Sequence, residues 1–486
     1  MLRRLCSGLV ALPLLLGAAP ARSIDRVDLQ LPLLEISFRV SLRELEDPQA
    51  LWQGDSDLAE LNRASDGALG RQLQRVFHTP LPVQTKAVVG QVVGTPLLEQ
   101  ALLAATTLGR VNGLPKDLSG SDLALALEKA SAAGELTLIS FLRALPGDSV
   151  TVDLPHAVGA LQRMVAQRRQ AEAVLARTPA AAVAPASLSP GSLPVRRSEI
   201  RVPASHRGAP LEVVVIEPER DGNGRVVLIS HGLWDSPESF EGWARHLASH
   251  GYRVVLPRHP GSDSGQQEAM LTGKVPPPSP DELRYRPLDV SATIDALGVS
   301  EVVMIGHSWG ATTALQVAGV QPSSNLLKKR CRDLNDPDRN LSWVLQCSFL
   351  SAADRAGLAD GRVRAVVAVS PPMSLLFDYG AAQNMRARAL LVTGSRDWVV
   401  SPDPEALVPG QRALALGHQM VLADGGDHFN LRASAEGDGG PLRALLLVWT
   451  DAAFAAGPLV APGPQAKPLL PAAGWGNDRI PLVLVP

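Results

Sequence analysis

Three residues far apart in the chain have the types needed for acyl-transfer chemistry: Ser308, Asp397 and His428. A serine hydroxyl is a poor nucleophile at its own pKa. It needs a base to take its proton and a third group to hold that base in one tautomer. Ser308 lies in Gly306-His307-Ser308-Trp309-Gly310, a G-x-S-x-G pattern between an apolar run, Val302 to Ile305, and a helical stretch, Ala311 to Ala318. A strand turning sharply into a helix makes a nucleophile elbow, which pushes the serine into an open cleft; the flanking glycines are needed because side chains there would strike backbone. The helix N-terminus behind the serine favours negative charge.

Two later segments supply the partners. Leu390-Leu391-Val392-Thr393-Gly394-Ser395-Arg396-Asp397 puts Asp397 in a loop after a buried strand, and Val421-Leu422-Ala423-Asp424-Gly425-Gly426-Asp427-His428 puts His428 after the next one. The chain order Ser, acid, His suits this kind of site. His428 would take the Ser308 proton and return it to a leaving alcohol, while Asp397 orients the ring. Asp424 and Asp427 are so close to His428 that they are better placed to shape its loop. For the oxyanion, Ser230-His231-Gly232-Leu233-Trp234 follows the strand Val226 to Ile229. One backbone N–H is assigned to Leu233, with Gly232 close behind, and the other to Trp309. His231 and His307 read as packing and hydrogen-bonding residues. Trp234 and Trp398 are candidates for the substrate pocket, although a core role is the simpler one for Trp398.

These residues must be held by a scaffold. From Glu199 onward, apolar runs at Leu211 to Ile216, Val226 to Ile229, Val254 to Leu256, Val302 to Ile305, Val363 to Val369, Ala389 to Val392 and Met420 to Ala423 alternate with helical stretches. Such alternation builds a mostly parallel sheet covered on both faces, with the site at the carboxyl ends of its strands. Upstream, Val27 to Leu31 and Ile36 to Val40 alternate as strands do, and Ser56-Asp57 caps a helix expected to run through Leu73 and Phe77. Residues 24–153 therefore read as a mainly helical domain after a strand pair, with no ligand cluster and no phosphate loop. Residues 154–198 read as a helix and an Ala/Pro/Ser-rich linker, residues 199–456 as the sheet domain, and residues 457–486 as a Pro-rich tail.

Composition narrows the function classes. Lys+Arg 46 against Asp+Glu 48 leaves a net charge of −2, which offers nucleic acid no electrostatic footing. Arg3 and Arg4, the apolar run Leu9 to Ala19 and Ala19-Pro20-Ala21 have the plan of a secretory signal peptide over residues 1–21, cut after Ala21, which places the chain in the periplasm or outside the cell. No later stretch reads as a transmembrane segment, leaving transient contact with a lipid surface. After that cut only Cys331 and Cys347 remain, an even pair in an oxidising compartment, and a disulfide is expected.

Four motifs together carry a resemblance: Ser230-His231-Gly232-Leu233, Ala248-Ser249-His250-Gly251-Tyr252, His259-Pro260-Gly261-Ser262-Asp263 and Gly306-His307-Ser308-Trp309-Gly310-Ala311-Thr312. Residues 199–456 resemble the α/β-hydrolases related to platelet-activating-factor acetylhydrolase. The front region resembles the helical domain of unknown function that precedes such hydrolases in cyanobacteria. The resemblance implies an α/β-hydrolase fold with an inserted lid over about 322–363 and a smaller helical N-terminal domain. It also implies an esterase removing a short acyl group, a phospholipid acetyl ester among its candidate substrates, with no metal or cofactor. Its triad falls on Ser308, Asp397 and His428, and its oxyanion donors on Leu233 and Trp309. Two departures stand out: Ala311 where the family has a second glycine, and the insertion with its cysteine pair. A dienelactone-hydrolase reading is disfavoured, because that branch uses a cysteine where this chain has Ser308. A longer-chain lipase or polyesterase, and a non-catalytic envelope-binding protein on the same fold, are the alternatives.

Overall fold

The computed structural model describes residues 24–30, 37–79, 91, 93–106, 109–114, 118–383, 385–433, 438–456 and 467–486. The signal peptide expected at 1–21 lies outside these residues. Near the front of the chain, β1 (Arg26–Gln30) pairs antiparallel with β2 (Ser37–Ser41) and parallel with β4 (Ser149–Asp153), which in turn pairs antiparallel with β3 (Gly109–Asn112). The front region is thus a four-stranded mixed sheet with helices, not a lone strand pair followed by helices. Its core gathers Ile24, Val27, Val40, Leu42, Leu45 and Leu51 with Ile139 and Leu142. Ser56 caps Asp57–Ala64 by accepting from the Ala59 N–H at 3.1 Å. The expected single helix divides at Gly67 (φ 75°), and a second helix runs over Ala68–His78.

The second sheet holds nine strands: β5 (Val195–Val202), β6 (Leu211–Pro218), β7 (Val226–Ser230), β8 (Arg253–Pro257), β9 (Val302–His307), β10 (Val363–Val369), β11 (Arg388–Gly394), β12 (Gln419–Ala423) and β13 (Leu482–Leu484). Their spatial order is β13-β12-β11-β10-β9-β7-β8-β6-β5. From β8 through β12 neighbours run parallel, whereas β5, β6 and β13 join antiparallel at the edges. Strands β7, β9, β11 and β12 are buried along their whole length, which explains their continuous apolar runs. The chain leaves β7 for β8 on one side and returns to β9 on the other. The switch point therefore opens between the carboxyl ends of β7 and β9, where such sheets bind ligands.

Two boundaries differ from the sequence reading. The 154–198 stretch is docked rather than loose. Ala171 is fully buried in the sheet domain's core, the Asp403 carboxylate accepts from the Gln170 and Ala171 N–H groups at 2.9 and 3.1 Å, and Ser187 donates to the Gly474 carbonyl at 2.6 Å. The described part of the Pro-rich tail, residues 467–486, is likewise part of the fold. β13 adds to β12, and Leu470 and Trp475 are buried. Low charge over the Ala/Pro/Ser-rich part thus marked a docked segment and not a free linker.

Candidate active site

β9 delivers its serine in a strained turn. Ser308 has φ 54° and ψ −126°, a conformation that costs a non-glycine residue free energy and persists only when its surroundings enforce it. A side chain at Gly306 would overlap the Gly310 carbonyl, and one at Gly310 would overlap the Ser230 carbonyl, so both glycines are required for strand, turn and helix to close together. The Ser308 N–H is tied to the Val369 carbonyl at the end of β10 at 2.9 Å, and the helix Trp309–Val317 begins at once. Ala311 is fully buried in the core, so its methyl group fits where a second glycine was expected. Ser308 itself is 8 % exposed.

The loops after β11 and β12 are stitched side by side. Ser395 N–H bonds the Ala423 carbonyl at 2.9 Å and Arg396 N–H the Gly426 carbonyl at 2.8 Å. Their closeness brings Asp397 Oδ2 to 3.0 Å from His428 Nδ1. The other carboxylate oxygen, Oδ1, accepts from the Val399 and Val400 N–H groups at 2.9 and 2.8 Å, so the buried carboxylate has one orientation. With Nδ1–H donated to Asp397, the imidazole carries its lone pair on Nε2, the tautomer of a general base. His307, the neighbour of Ser308, donates from Nε2 to the His428 carbonyl at 2.9 Å, and the two rings lie 4.8 Å apart. This contact draws the His428 loop onto the elbow. The His307 ring is held neutral: burial, then the nearby His428 and Arg432, push its pKa well down. Asp427 instead accepts from the Phe429 and Asn430 N–H groups, at 2.8 Å each, and Asp424 is exposed.

The loop after β7 passes against the elbow so closely that a Cβ on Gly232 would sit 3.1 Å from that of Ser308. Arg286, from the helix Glu282–Leu297, holds this loop. Fully buried, it donates from Nη1 to the His231 carbonyl at 2.7 Å, from Nη2 to the Gly232 carbonyl at 3.0 Å and from Nε to Ser262 Oγ at 2.8 Å. Its guanidinium stacks on the Trp309 ring at 4.2 Å. Burial pulls its pKa down, and the carboxylates of Glu282 and Asp289 push back. His231 Nε2 accepts from the His259 N–H at 3.1 Å, so its Nδ1 carries the proton and donates to the Gly232 carbonyl at 2.8 Å. The Gly232 carbonyl is thus held by two donors. In a trans peptide the C=O and the following N–H point opposite ways, so fixing the Gly232 oxygen also fixes the Leu233 N–H. Through the His231 carbonyl, Arg286 fixes the Gly232 N–H by the same rule, so both candidate donors of this loop are held in place. Sequence reasoning missed Arg286, because nothing local in Glu282-Leu-Arg-Tyr-Arg286-Pro-Leu-Asp289 shows that carbonyls converge on it.

The remaining candidates separate. Trp234 follows Leu233 with φ 54°, its indole donating to Gln266 Oε1 at 2.8 Å. Trp398 is 44 % exposed and pairs with Phe429, whose ring in turn meets His428 edge-on, so it lies at the rim and not in the core. Cys331 and Cys347 form a disulfide. It staples the insertion, whose helices Asn325–Arg330 and Ser342–Ser348 pack in one apolar cluster with Trp309 and Leu283. The buried Glu405 carboxylate ties that insertion down. It accepts from Asn340, Ser342 and Gln346 side chains on one side, and from the Met373 and Ser374 N–H groups on the other. Among the described residues, no group of three or more His, Cys, Asp or Glu side chains could hold a metal, and no helix is long and apolar enough to cross a membrane.

Comparison with known proteins bears on the fold. Residues 225–331 match a family model described as the alpha/beta hydrolase fold, and residues 24–153 match one described as an alpha/beta hydrolase of unknown function. Similar curated proteins include an epoxide hydrolase of Caballeronia sordidicola, 34 % identical over 107 residues, covering 21 % of this chain and 29 % of that protein. Epoxide hydrolase 2 of Siraitia grosvenorii is 35 % identical over 99 residues, covering 19 % and 27 %. The chain thus spans less than a third of the length of these relatives. Sheet order and family models agree that this chain has the α/β-hydrolase fold, joined to a front domain that matches α/β-hydrolases of unknown function.

Proposed function

We propose that this protein is a serine hydrolase that cleaves carboxylic esters through an acyl-enzyme. The observation that carries this reading is the Asp397–His428 hydrogen bond, held by the His307 contact against the elbow that bears Ser308. Ser308 Oγ attacks the acyl carbon as His428 Nε2 takes its proton. The carbonyl oxygen, now negative, accepts from the Leu233 and Trp309 N–H groups. His428 then protonates the leaving alcohol, and a water activated by the same nitrogen releases the acid. Short acyl esters, phospholipid acetyl esters included, are the substrates suggested by the motif resemblance to platelet-activating-factor acetylhydrolase relatives. The leader pattern over residues 1–21 and the disulfide support export to the periplasm or beyond.

The similarity to epoxide hydrolases raises epoxide opening as a second reading. Chemistry weighs against it. Attack of Ser308 on an epoxide carbon would leave an ether, with no acyl carbon for a second water to attack, and turnover would end after one cycle. The ester reading is tested with a fluorophosphonate probe and p-nitrophenyl acetate. Wild type should be labelled and turn over, and Ser308→Ala should do neither; an unlabelled wild type, or turnover surviving in Ser308→Ala, refutes it.

A further inference from the structure

The front domain reaches the site. Its helix Pro96–Ala105 carries Leu97 and Leu98, which point roughly a third of a turn apart and so meet different neighbours. Leu97 is 7 % exposed and packs in the cluster that holds Trp309, Leu283, Trp343 and Leu327, with Leu233 on its edge. Leu98 is only partly buried and packs with Trp234, Met270 and Val275. Trp309 and Trp234 are the residues at and just after the two proposed oxyanion donors. One short helix of the front domain therefore shares an apolar cluster with each of these residues.

We propose that this helix completes the substrate pocket, with Leu97 anchoring it and Leu98 forming, beside Trp234, Met270 and Val275, the wall that receives the apolar chain of the ester. The inference rests on the ester reading above. Leu97 shares a cluster with Trp309 and Leu233, and Leu98 one with Trp234, so the apolar chain of an ester whose oxygen sits at the Leu233 and Trp309 N–H groups is assigned to this side of the site. The wall is built from Leu, Trp, Met and Val. It disfavours a charged or heavily hydrated chain, which would lose its water without a partner. Trp234 is fixed for this role by its strained backbone, by its N–H bond to the Ser262 carbonyl at 2.8 Å and by its indole bond to Gln266. The insertion over 322–363 is clamped by Glu405 and the disulfide.

The test compares kcat/KM for p-nitrophenyl octanoate with that for the acetate in wild type, Leu98→Trp, Leu98→Ala and the control Leu125→Trp, whose side chain is exposed on another helix of the same domain. A pocket methylene is worth about tenfold or more in discrimination, so Leu98→Trp should lower the octanoate-to-acetate ratio by at least about tenfold, Leu98→Ala should shift it by at least about threefold, and the control should keep it. Thermal melts show which variants are folded, and the alanine variant, which inserts no bulk, carries the test if the tryptophan one unfolds. Ratios within about twofold of wild type in a folded Leu98 variant that the fluorophosphonate still labels would overturn the pocket assignment alone. A wild type that the probe does not label would overturn the ester reading together with it.

Discussion

Arg286→Lys tests how the proposed oxyanion site is held. In the native protein four acceptors, the His231, Gly232 and Ser262 carbonyls and Ser262 Oγ, share one guanidinium that also stacks on Trp309. A lysine keeps the charge but ends in a single nitrogen with no planar fork, so it can serve one of these acceptors well and must leave others short. The Gly232 carbonyl then depends on His231 Nδ1 alone, and the Leu233 N–H is free to rotate out of line. Loss of one preorganised oxyanion donor costs about 3 kcal/mol of transition-state stabilisation, which predicts a fall in kcat of about 10²-fold. KM for p-nitrophenyl acetate should change by less than about threefold, because the donor bonds mainly the negative oxygen of the transition state. Buried acceptors left unpaired should also lower stability, by about 2 to 4 kcal/mol. The two effects separate experimentally. Steady-state kinetics at a temperature well below the melting point reads the first, and urea denaturation reads the second. Labelling by a fluorophosphonate, whose phosphoryl oxygen uses the same donors, should slow in parallel with kcat. A folded Arg286→Lys variant with kcat within about threefold of wild type would refute the positioning role and leave Arg286 a structural residue.

Further outcomes follow from the same geometry. Asp397→Asn should retain the fold but reduce kcat by about 10⁴-fold, because the amide can present its NH₂ to His428 Nδ1 and favour the tautomer with its proton on Nε2; near-native kcat would remove Asp397 from the triad. Acid should destabilise the protein. Burial first, then neighbouring positive charge, holds His246, His259 and His418 down to about 4, and pushes His231 and His307 well down too. Above about pH 6.5 these rings are neutral whether the chain is folded or not. As pH falls from there toward 4, the unfolded chain binds protons that the folded one refuses, at up to about 1.4 kcal/mol per pH unit for each ring. Asp263 and Asp403, whose carboxyls burial pushes up, oppose this, two groups against five. The urea midpoint should therefore be lower at pH 5 than at pH 7.5, and equal midpoints would refute it.

Much of this site could be read from short stretches of chain. The elbow is a local object: two glycines, a serine and a strand-to-helix change of period, all within a dozen residues. The same is true of the Ser56 cap, whose spacing to Ala59 is set by the helix itself. The loops carrying Asp397 and His428 could also be found, because each follows an apolar run long enough to be a buried strand. Other features gave no such sign. β3 is four residues long and β13 three, too short for alternation to stand out, and each exists only because a partner strand offers a ladder.

By itself, then, the sequence determined which groups are available and the local backbone that presents them, since turn sterics and helix or strand period depend on near neighbours. The expectation of export also led to the expectation that Cys331 and Cys347 pair, and the structure joins them. Tertiary structure alone decided what lies beside what. β1 finds β4 more than a hundred residues later, the tail closes the sheet edge at β12, Arg286 becomes a buried clamp because acceptors from two loops converge on it, and Leu98 of the front domain packs in one cluster with Trp234. The physical reason is that these contacts are selected by burial and pairing between surfaces assembled from distant segments, which no periodicity within one segment encodes.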